Sequence, residues 1–429
     1  MDWKIKKNTK GLKGEIEVPP DKSISHRSVI LGALANAKCH VSNFLFSDDC
    51  IRTLEAFRAM GIRIDQEGAN ITVFGKGLRG LKSPLDALCL GNSGTSMRVL
   101  SGVLAGQNFG TILIGDDSLN KRPMDRVIEP LSKMGAVIKP MEGGSHAPLK
   151  IEGKNSPLMP INYKMPMASA QVKTCVLIAG LYAQGLTSVT EPFQSRDHTE
   201  RLLEYFSADI KRKGLTTEIR GLNELISKDF KIPADISSAA FFIIGCVLIE
   251  GSRIIFRNVG LNPTRVGIIN VLKRMGADIE IINYESALEP VGDLNVSHSR
   301  LRGTTIEKHE IPLLIDEIPI LSLAAVCATG QTVIKGINEL KVKETDRVKS
   351  IVSNFKRMGI IVEEQEENLI IKGSYKTLKS DEFDSFGDHR IAMTMAIASL
   401  LSDGECVIKN TKCVDTSYPG FWEQLQQLQ

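Results

Sequence analysis

Aromatic residues make up only 5% of this 429-residue chain, with two tryptophans. A groove that stacks the bases of a single strand needs more aromatic surface than that. The net charge is +3, too balanced for the broad basic face of a nucleic-acid binder. Long apolar runs are also missing. The longest, residues 239–249, falls short of the ~20 residues that span a bilayer, so no membrane partner is expected. Residues 1–14 are polar and lysine-rich without an apolar core, so no secretory signal is expected either. Eight cysteines are scattered at positions 39, 50, 89, 175, 246, 327, 406 and 413, none in a C-x-x-C pair. Most lie among apolar residues and read as small core side chains in a reducing cytoplasm. The seven histidines show no zinc-ligand spacing. Neither a dinucleotide-binding glycine fingerprint nor a G-x-x-x-x-G-K-S/T loop occurs.

What is present is an internal period. Met-Gly ends a helical pattern at Met60-Gly61, Met134-Gly135, Met275-Gly276 and Met358-Gly359, with Ser207-Ala208 in the equivalent place between the second and third. The intervals are 74, 73, 68 and 83 residues. A β-branched run follows the Met-Gly sites, as in Ile360-Ile361-Val362. A second marker is a small polar cluster opening a more apolar helix, near Lys22-Ser23, Asn92 to Thr95, Ser169, Asp235, Asp316 and Asp388. Six copies of about 71 residues result, each reading helix, strand, helix, strand, strand. Such a unit cannot bury its apolar faces alone, so copies must pack together. Helical runs 30–37 and 177–183 are apolar over most of their surface, as helices enclosed by sheets are. The length predicts two α/β domains of three units. The first lobe takes residues 20–237; the second takes 238–429 completed by residues 1–19, whose first strand spans 15–18. The chain crosses at about 19–20 and 232–238, a natural hinge.

The chemistry concentrates where helices begin. Residues 341–347, Lys-Val-Lys-Glu-Thr-Asp-Arg, precede Val348, Ile351, Val352, Phe355 and Met358, the buried stripe of an amphipathic helix. A helix start favours acids. Lys343 and Arg347, as an i,i+4 pair of like charge, would repel by roughly 0.2–0.5 kcal/mol, which makes sense if an anion docks there. Similar starts recur. Residues 20–27 carry Lys22, Ser23 and Arg27; the glycine-rich turn 90–98 carries Gly94; Arg122 precedes Pro123; Ser169 and Gln171 offer hydroxyl and amide. Residues 195–200 form a capping-box variant holding Arg196. Asp316 follows an apolar strand ending at 313–315, where burial would raise its pKa toward that of a general base. Arg390 follows Asp388-His389. Lys22, Arg27, Arg122, Arg196, Lys343, Arg347 and Arg390 thus place seven bases at or beside helix starts. Parallel repeats put many of these starts on one face of each lobe. Two such faces across a hinge form a cationic cleft for small phosphorylated substrates.

These motifs resemble those of the 5-enolpyruvylshikimate-3-phosphate synthase family, in order and along the whole chain: residues 21–27, 91–98, 122–124, 169–171, 343–347 and 388–390. The resemblance implies a two-lobed inside-out α/β barrel with three repeats per lobe. It implies transfer of the enolpyruvyl group of phosphoenolpyruvate to the 5-hydroxyl of shikimate 3-phosphate, with no cofactor or metal, on the way to chorismate and the aromatic amino acids. It assigns Lys22, Gly94, Arg122, Gln171, Lys343, Arg347 and Arg390 to phosphoenolpyruvate. It assigns Lys22, Ser23, Arg27, Ser169, Gln171, Arg196, Asp316 and Lys343 to shikimate 3-phosphate. Asp316 is implied as the base for the 5-hydroxyl, Glu344 as the acid toward the enolpyruvyl methylene, and Lys22 as a further catalytic residue. Gly94 leaves room beside phosphoenolpyruvate, so inhibition by glyphosate is expected. Residues 414–419 lack the lysine that part of the family carries there, Ala170 stands for the second serine of a Ser-Ser-Gln motif, and Glu339 stands for an asparagine. A monomer is expected. The rival reading is the sister transferase acting on UDP-N-acetylglucosamine, which usually has a cysteine in the region of residues 115–122, where this chain has none. A non-catalytic anion-binding scaffold would have no need for Asp316 and Glu344.

Overall fold

The computed structural model describes residues 1–373 and 377–429. Among them are twelve α-helices: α1 (Lys22–Leu34), α2 (Asp48–Ala59), α3 (Gly94–Ala105), α4 (Asp125–Lys133), α5 (Ala170–Gly180), α6 (His198–Tyr205), α7 (Ile236–Leu248), α8 (Gly267–Met275), α9 (Ile318–Cys327), α10 (Arg347–Arg357), α11 (His389–Ser399) and α12 (Phe421–Gln427). Two classes alternate through the first eleven. The odd-numbered helices are enclosed, buried over most of their surface; in α1 every residue from 24 to 34 is buried, His26 and Arg27 included. The even-numbered ones from α2 to α10 are amphipathic, and α10 buries Val348, Ile351 and Phe355 from its expected stripe.

Local chemistry sets where both classes start and stop. Asp21, Ser93, Ser169, Asp235 and Asp388 each cap an enclosed helix, accepting from Ile24 N at 2.8 Å, Ser96 N at 3.2 Å, Val172 N at 3.4 Å, Ser237 N at 2.9 Å and Arg390 N at 2.8 Å. Each amphipathic helix from α2 to α10 ends on a left-handed residue: Gly61, Gly135, Gly276 and Gly359 with φ from 79° to 100°, and Ser207 at 65°. The Met-Gly period is therefore a repeated helix stop. Ser207 holds the same conformation without glycine's freedom.

Contacts divide the chain into two units, Pro20–Ile232 and Met1–Pro19 with Pro233–Gln429. Each contains three small sheets. In the second repeat, Leu88–Cys89 runs parallel to Thr111–Ile114, which pairs antiparallel with Leu149–Ile151 and then Ile138–Pro140. The expected five-element unit thus gains a strand before its first helix. Two repeats borrow that strand. Ala35–Ser42 takes Leu225–Ile226 and Phe230–Lys231 from the end of the same unit, and Arg253–Gly260 takes Lys13–Ile16. The last repeat lacks a hairpin, and Trp3–Ile5 pairs antiparallel with Cys406–Lys409 instead. Trp3 stacks on Trp422 of α12 with ring centroids 4.7 Å apart.

Three local expectations shift. The apolar helix placed over 30–37 ends at Leu34, because Ala35–Ser42 is needed as the sheet's central strand. The strand expected over 15–18 covers Lys13–Ile16, and an earlier strand, Trp3–Ile5, precedes it in the same unit. Asp316 lies within a 3-10 turn, Ile315–Glu317, that follows another, Ile311–Leu313, in place of the expected strand. No helix among the described residues is long and apolar enough to cross a membrane.

Candidate active site

In the unit Pro20–Ile232 the expected side chains form two groups. The first surrounds the start of α1. Lys22 ion-pairs with Asp49 in the first turn of α2. Arg27 is buried and donates from Nε to Thr199 Oγ1 at 2.6 Å, from Nη1 to Ser23 O at 2.9 Å and from Nη2 to Thr174 Oγ1 at 2.9 Å. It therefore braces the Ser23 backbone against α5 and α6. Arg196 Nη1 donates to Ser23 Oγ at 3.4 Å. The capping-box reading of residues 195–200 fails. Asp197 makes no side-chain cap and instead accepts from Arg201 Nε and Arg212 Nη1, each at 3.0 Å. Glu200 turns inward to Lys173 Nζ at 2.7 Å.

The second group lies at the starts of α3 and α5. Arg98 Nη1 donates to Gln171 Oε1 at 2.7 Å, and Gln171 Nε2 donates to Thr95 Oγ1 at 3.0 Å. Arg122 Nη2 donates to Asn92 Oδ1 at 2.5 Å. A methyl group on Gly94 would lie 3.1 Å from Arg98 Nη1 and 3.2 Å from Arg122 Nη1. The bare glycine is what lets both guanidinium groups approach the helix start. Ser169 spends its hydroxyl partly on capping α5. Behind these groups a hydroxyl chain joins three helices: His26 Nδ1 to Thr53 Oγ1 at 2.7 Å, Thr53 to Ser96 Oγ at 2.6 Å, and Ser96 to Ser93 Oγ at 2.6 Å. Burial, reinforced by Lys22 and Arg27, pushes the His26 imidazole well below its ordinary pKa.

The other unit holds a single tight cluster. Arg347, 1% exposed in its side chain, meets Asp388 Oδ2 at 2.8 Å through Nε, Asp316 Oδ1 at 3.2 Å through Nη1 and Glu344 Oε2 at 2.7 Å through Nη2. Burial works against its charge, but Asp388, Glu344 and Asp316 outweigh it and push its pKa up. Arg390 Nη2 is 3.8 Å from Asp316 Oδ2, and Lys343 Nζ is 4.0 Å from Asp316 Oδ1. Two expectations are corrected here. Helix α10 starts at Arg347 with Asp346 as its cap, and Lys343 lies before it in extended backbone, so the two bases are not an i,i+4 helical pair. Asp316 is set among the cations Arg347, Lys343 and Arg390 rather than among apolar side chains. Lys341, outside this cluster, pairs with Glu364 at 2.6 Å.

Several partners escaped sequence reasoning. Asp49 gave a weak signal as a first-turn acid. Asp388 stood inside a quoted motif, yet its double role as cap and Arg347 partner needs the fold. In a buried network of Arg265 with Asp235 at 2.8 Å and Ser237 at 2.7 Å, the latter donating to Glu317 beside Asp316, only the helix start at Asp235 gave a sequence signal.

The chain matches the family model of EPSP synthase (3-phosphoshikimate 1-carboxyvinyltransferase) over residues 6–425. It is 48% identical over 420 residues to a 3-phosphoshikimate 1-carboxyvinyltransferase of Bacillus cytotoxicus, covering 98% of each chain. It is equally similar to one of Geobacter metallireducens, over 98% of this chain and 97% of the relative. An EPSP synthase structure from Acinetobacter baumannii superposes with a TM-score of 0.88 at 44% identity, covering 100% of this chain and 98% of that one. The enolpyruvyl transferase NikO of Streptomyces tendae, 18% identical with a TM-score of 0.79 over 99% and 96% of the chains, shares the fold alone. The fold is the inside-out α/β fold of these structures, six repeats in two groups of three. The chain belongs to the EPSP synthase (3-phosphoshikimate 1-carboxyvinyltransferase) family.

Proposed function

We propose that this chain transfers the enolpyruvyl group of phosphoenolpyruvate to the 5-hydroxyl of shikimate 3-phosphate, releasing phosphate, and that the side chains described above carry the reaction. The observation that supports these roles best is the clustering of Asp316 and Glu344 on one buried guanidinium, with Lys343 and Arg390 at the same carboxylate. A cationic setting with two carboxylates suits proton transfer beside polyanionic substrates.

In this reading Asp316 takes the proton of the 5-hydroxyl as its oxygen bonds to C2 of phosphoenolpyruvate. Glu344 delivers a proton to the methylene carbon, C3, which consumes the double bond. Loss of a C3 proton and of the phosphate group then restores the double bond in the product. Arg347 donates three of a guanidinium's five N–H groups to carboxylates. Lys22, Gly94, Arg122, Gln171, Lys343, Arg347 and Arg390 serve phosphoenolpyruvate. Lys22, Ser23, Arg27, Ser169, Gln171, Arg196, Asp316 and Lys343 serve shikimate 3-phosphate, with Arg27 acting chiefly by bracing Ser23.

The test is phosphate release by the purified protein. Release from phosphoenolpyruvate is expected only with shikimate 3-phosphate present; release with UDP-N-acetylglucosamine instead would transfer the assignment to the sister activity. The same reading takes the protein as a cytoplasmic monomer. Light scattering behind a sizing column should give the 47.0 kDa of one chain, and a doubled mass would overturn that part.

A further inference from the structure

Lys173 lies inside α5, a helix buried from Val172 to Gly180, and is only 1% exposed. Its Nζ is 2.7 Å from Glu191 Oε2 and 2.7 Å from Glu200 Oε1. It also donates to Ser195 O at 3.5 Å, while the Ser195 hydroxyl donates to the other oxygen of Glu191. Burying one cation with two carboxylates is a poor route to stability, since well-packed apolar side chains of similar volume often do as well or better. Fold stability alone gives these residues little reason to be charged.

Their common feature is position. Glu191, Ser195 and Glu200 all belong to the segment that leaves strand Leu186–Thr190 and turns into α6. One ammonium therefore pins that segment at its beginning, middle and end. In residues 195–200 every side chain is buried except Arg196, which is partly exposed. A second tie runs alongside. Thr174, next to Lys173, meets Thr199, next to Glu200, at 2.5 Å, and Arg27 donates to both. The segment is held so that one guanidinium faces outward from a fixed backbone, with Ser23 Oγ 3.4 Å from its Nη1.

We infer that Lys173 is a positioning residue for shikimate 3-phosphate: by clamping the 191–200 segment it fixes where Arg196 presents its guanidinium to the substrate's phosphate. This rests on the assignment of Arg196 to that substrate. A pre-set guanidinium loses less freedom on binding than one on a mobile segment, so the effect falls on one substrate only.

The test is steady-state kinetics of Lys173→Met, close in length but uncharged, assayed well below its melting temperature. KM for shikimate 3-phosphate should rise at least tenfold, KM for phosphoenolpyruvate should stay within twofold, and kcat at saturation should stay within threefold. If Lys173→Met does not fold, Glu191→Gln, which keeps size while loosening both the lysine and Ser195, should raise KM for shikimate 3-phosphate at least threefold with KM for phosphoenolpyruvate unmoved. A purely structural role predicts a lower melting temperature with both KM values unchanged or rising together, and either result overturns the inference. Absence of any turnover in the unsubstituted protein would instead strike at the proposed function itself.

Discussion

Arg347 Nη1 lies 3.2 Å from Asp316 Oδ1, which ties the carboxylate assigned as base to a side chain assigned to anion binding. The carboxylate is thereby oriented before any substrate arrives. General-base transfer from a positioned carboxylate is worth roughly 10²–10⁴-fold. Asp316→Ala should lower kcat by about that factor while KM for phosphoenolpyruvate changes little. Initial rates over a grid of both substrates check this. A variant with unaltered kcat would remove Asp316 from proton transfer.

The same guanidinium holds Glu344 and Asp388, and Asp388 also caps α11. Removing one partner of a buried ion pair leaves uncompensated charge, typically costing about 3–5 kcal/mol. Arg347→Met should destabilise the protein by roughly that amount, seen as a lower urea midpoint at constant slope. Arg347→Lys should also lose stability, since a point-like ammonium cannot reproduce the three-way fork. Wild-type stability in both variants would mean that the carboxylates are protonated or relocated.

How much of this was legible in the sequence depends on how far apart the interacting residues lie. The repeat was readable because its marks are local: a capping Asp or Ser at five of the six enclosed helices, α9 being the exception, and a left-handed residue closing each amphipathic one, where even Ser207 fits. The extra strand in each repeat was not, because it is short and in two repeats comes from a distant part of its unit, as when Lys13–Ile16 pairs with Arg253–Gly260. At the site, bases beside helix starts were visible as sequence clusters. Which acids compensate them was not. Arg347 to Asp388 is a 41-residue separation, and the Lys173 partners sit on the far side of a strand. The supposed repulsion between Lys343 and Arg347 disappeared for the same reason: spacing fixes a contact only if both residues are in the helix.

At Gly94 the space available is the whole argument. A methyl group there would press to 3.2 Å from Arg122 Nη1 and 3.1 Å from Arg98 Nη1. Both side chains are flexible, so the fold should survive while the guanidinium groups shift. Gly94→Ala should raise KM for phosphoenolpyruvate by about tenfold, the value of one displaced charge-assisted hydrogen bond, with KM for shikimate 3-phosphate unmoved. Glyphosate, if it competes for the same space, should lose potency in parallel. Inhibition of the parent protein that is not competitive with phosphoenolpyruvate would remove glyphosate from this position.

His26 gives the protein an acid-side weakness. Its imidazole is enclosed by Thr53 and flanked by Lys22 and Arg27, with only Asp21 acting in the opposite sense, and its folded pKa lies well below the ordinary 6.5. As pH falls through about 6.5 the unfolded chain takes up a proton that the folded chain refuses. The stabilisation is therefore complete above that value and is lost progressively below it, by at most about 1.4 kcal/mol per pH unit. Urea unfolding at intervals from pH 7.5 to 5 should show this decline. His26→Asn, which keeps a polar partner for Thr53 but has nothing to titrate, should flatten the slope by close to one proton. Parallel pH curves for the two proteins would place the acid sensitivity elsewhere and leave the His26–Thr53–Ser96–Ser93 chain as a purely structural link between α1, α2 and α3.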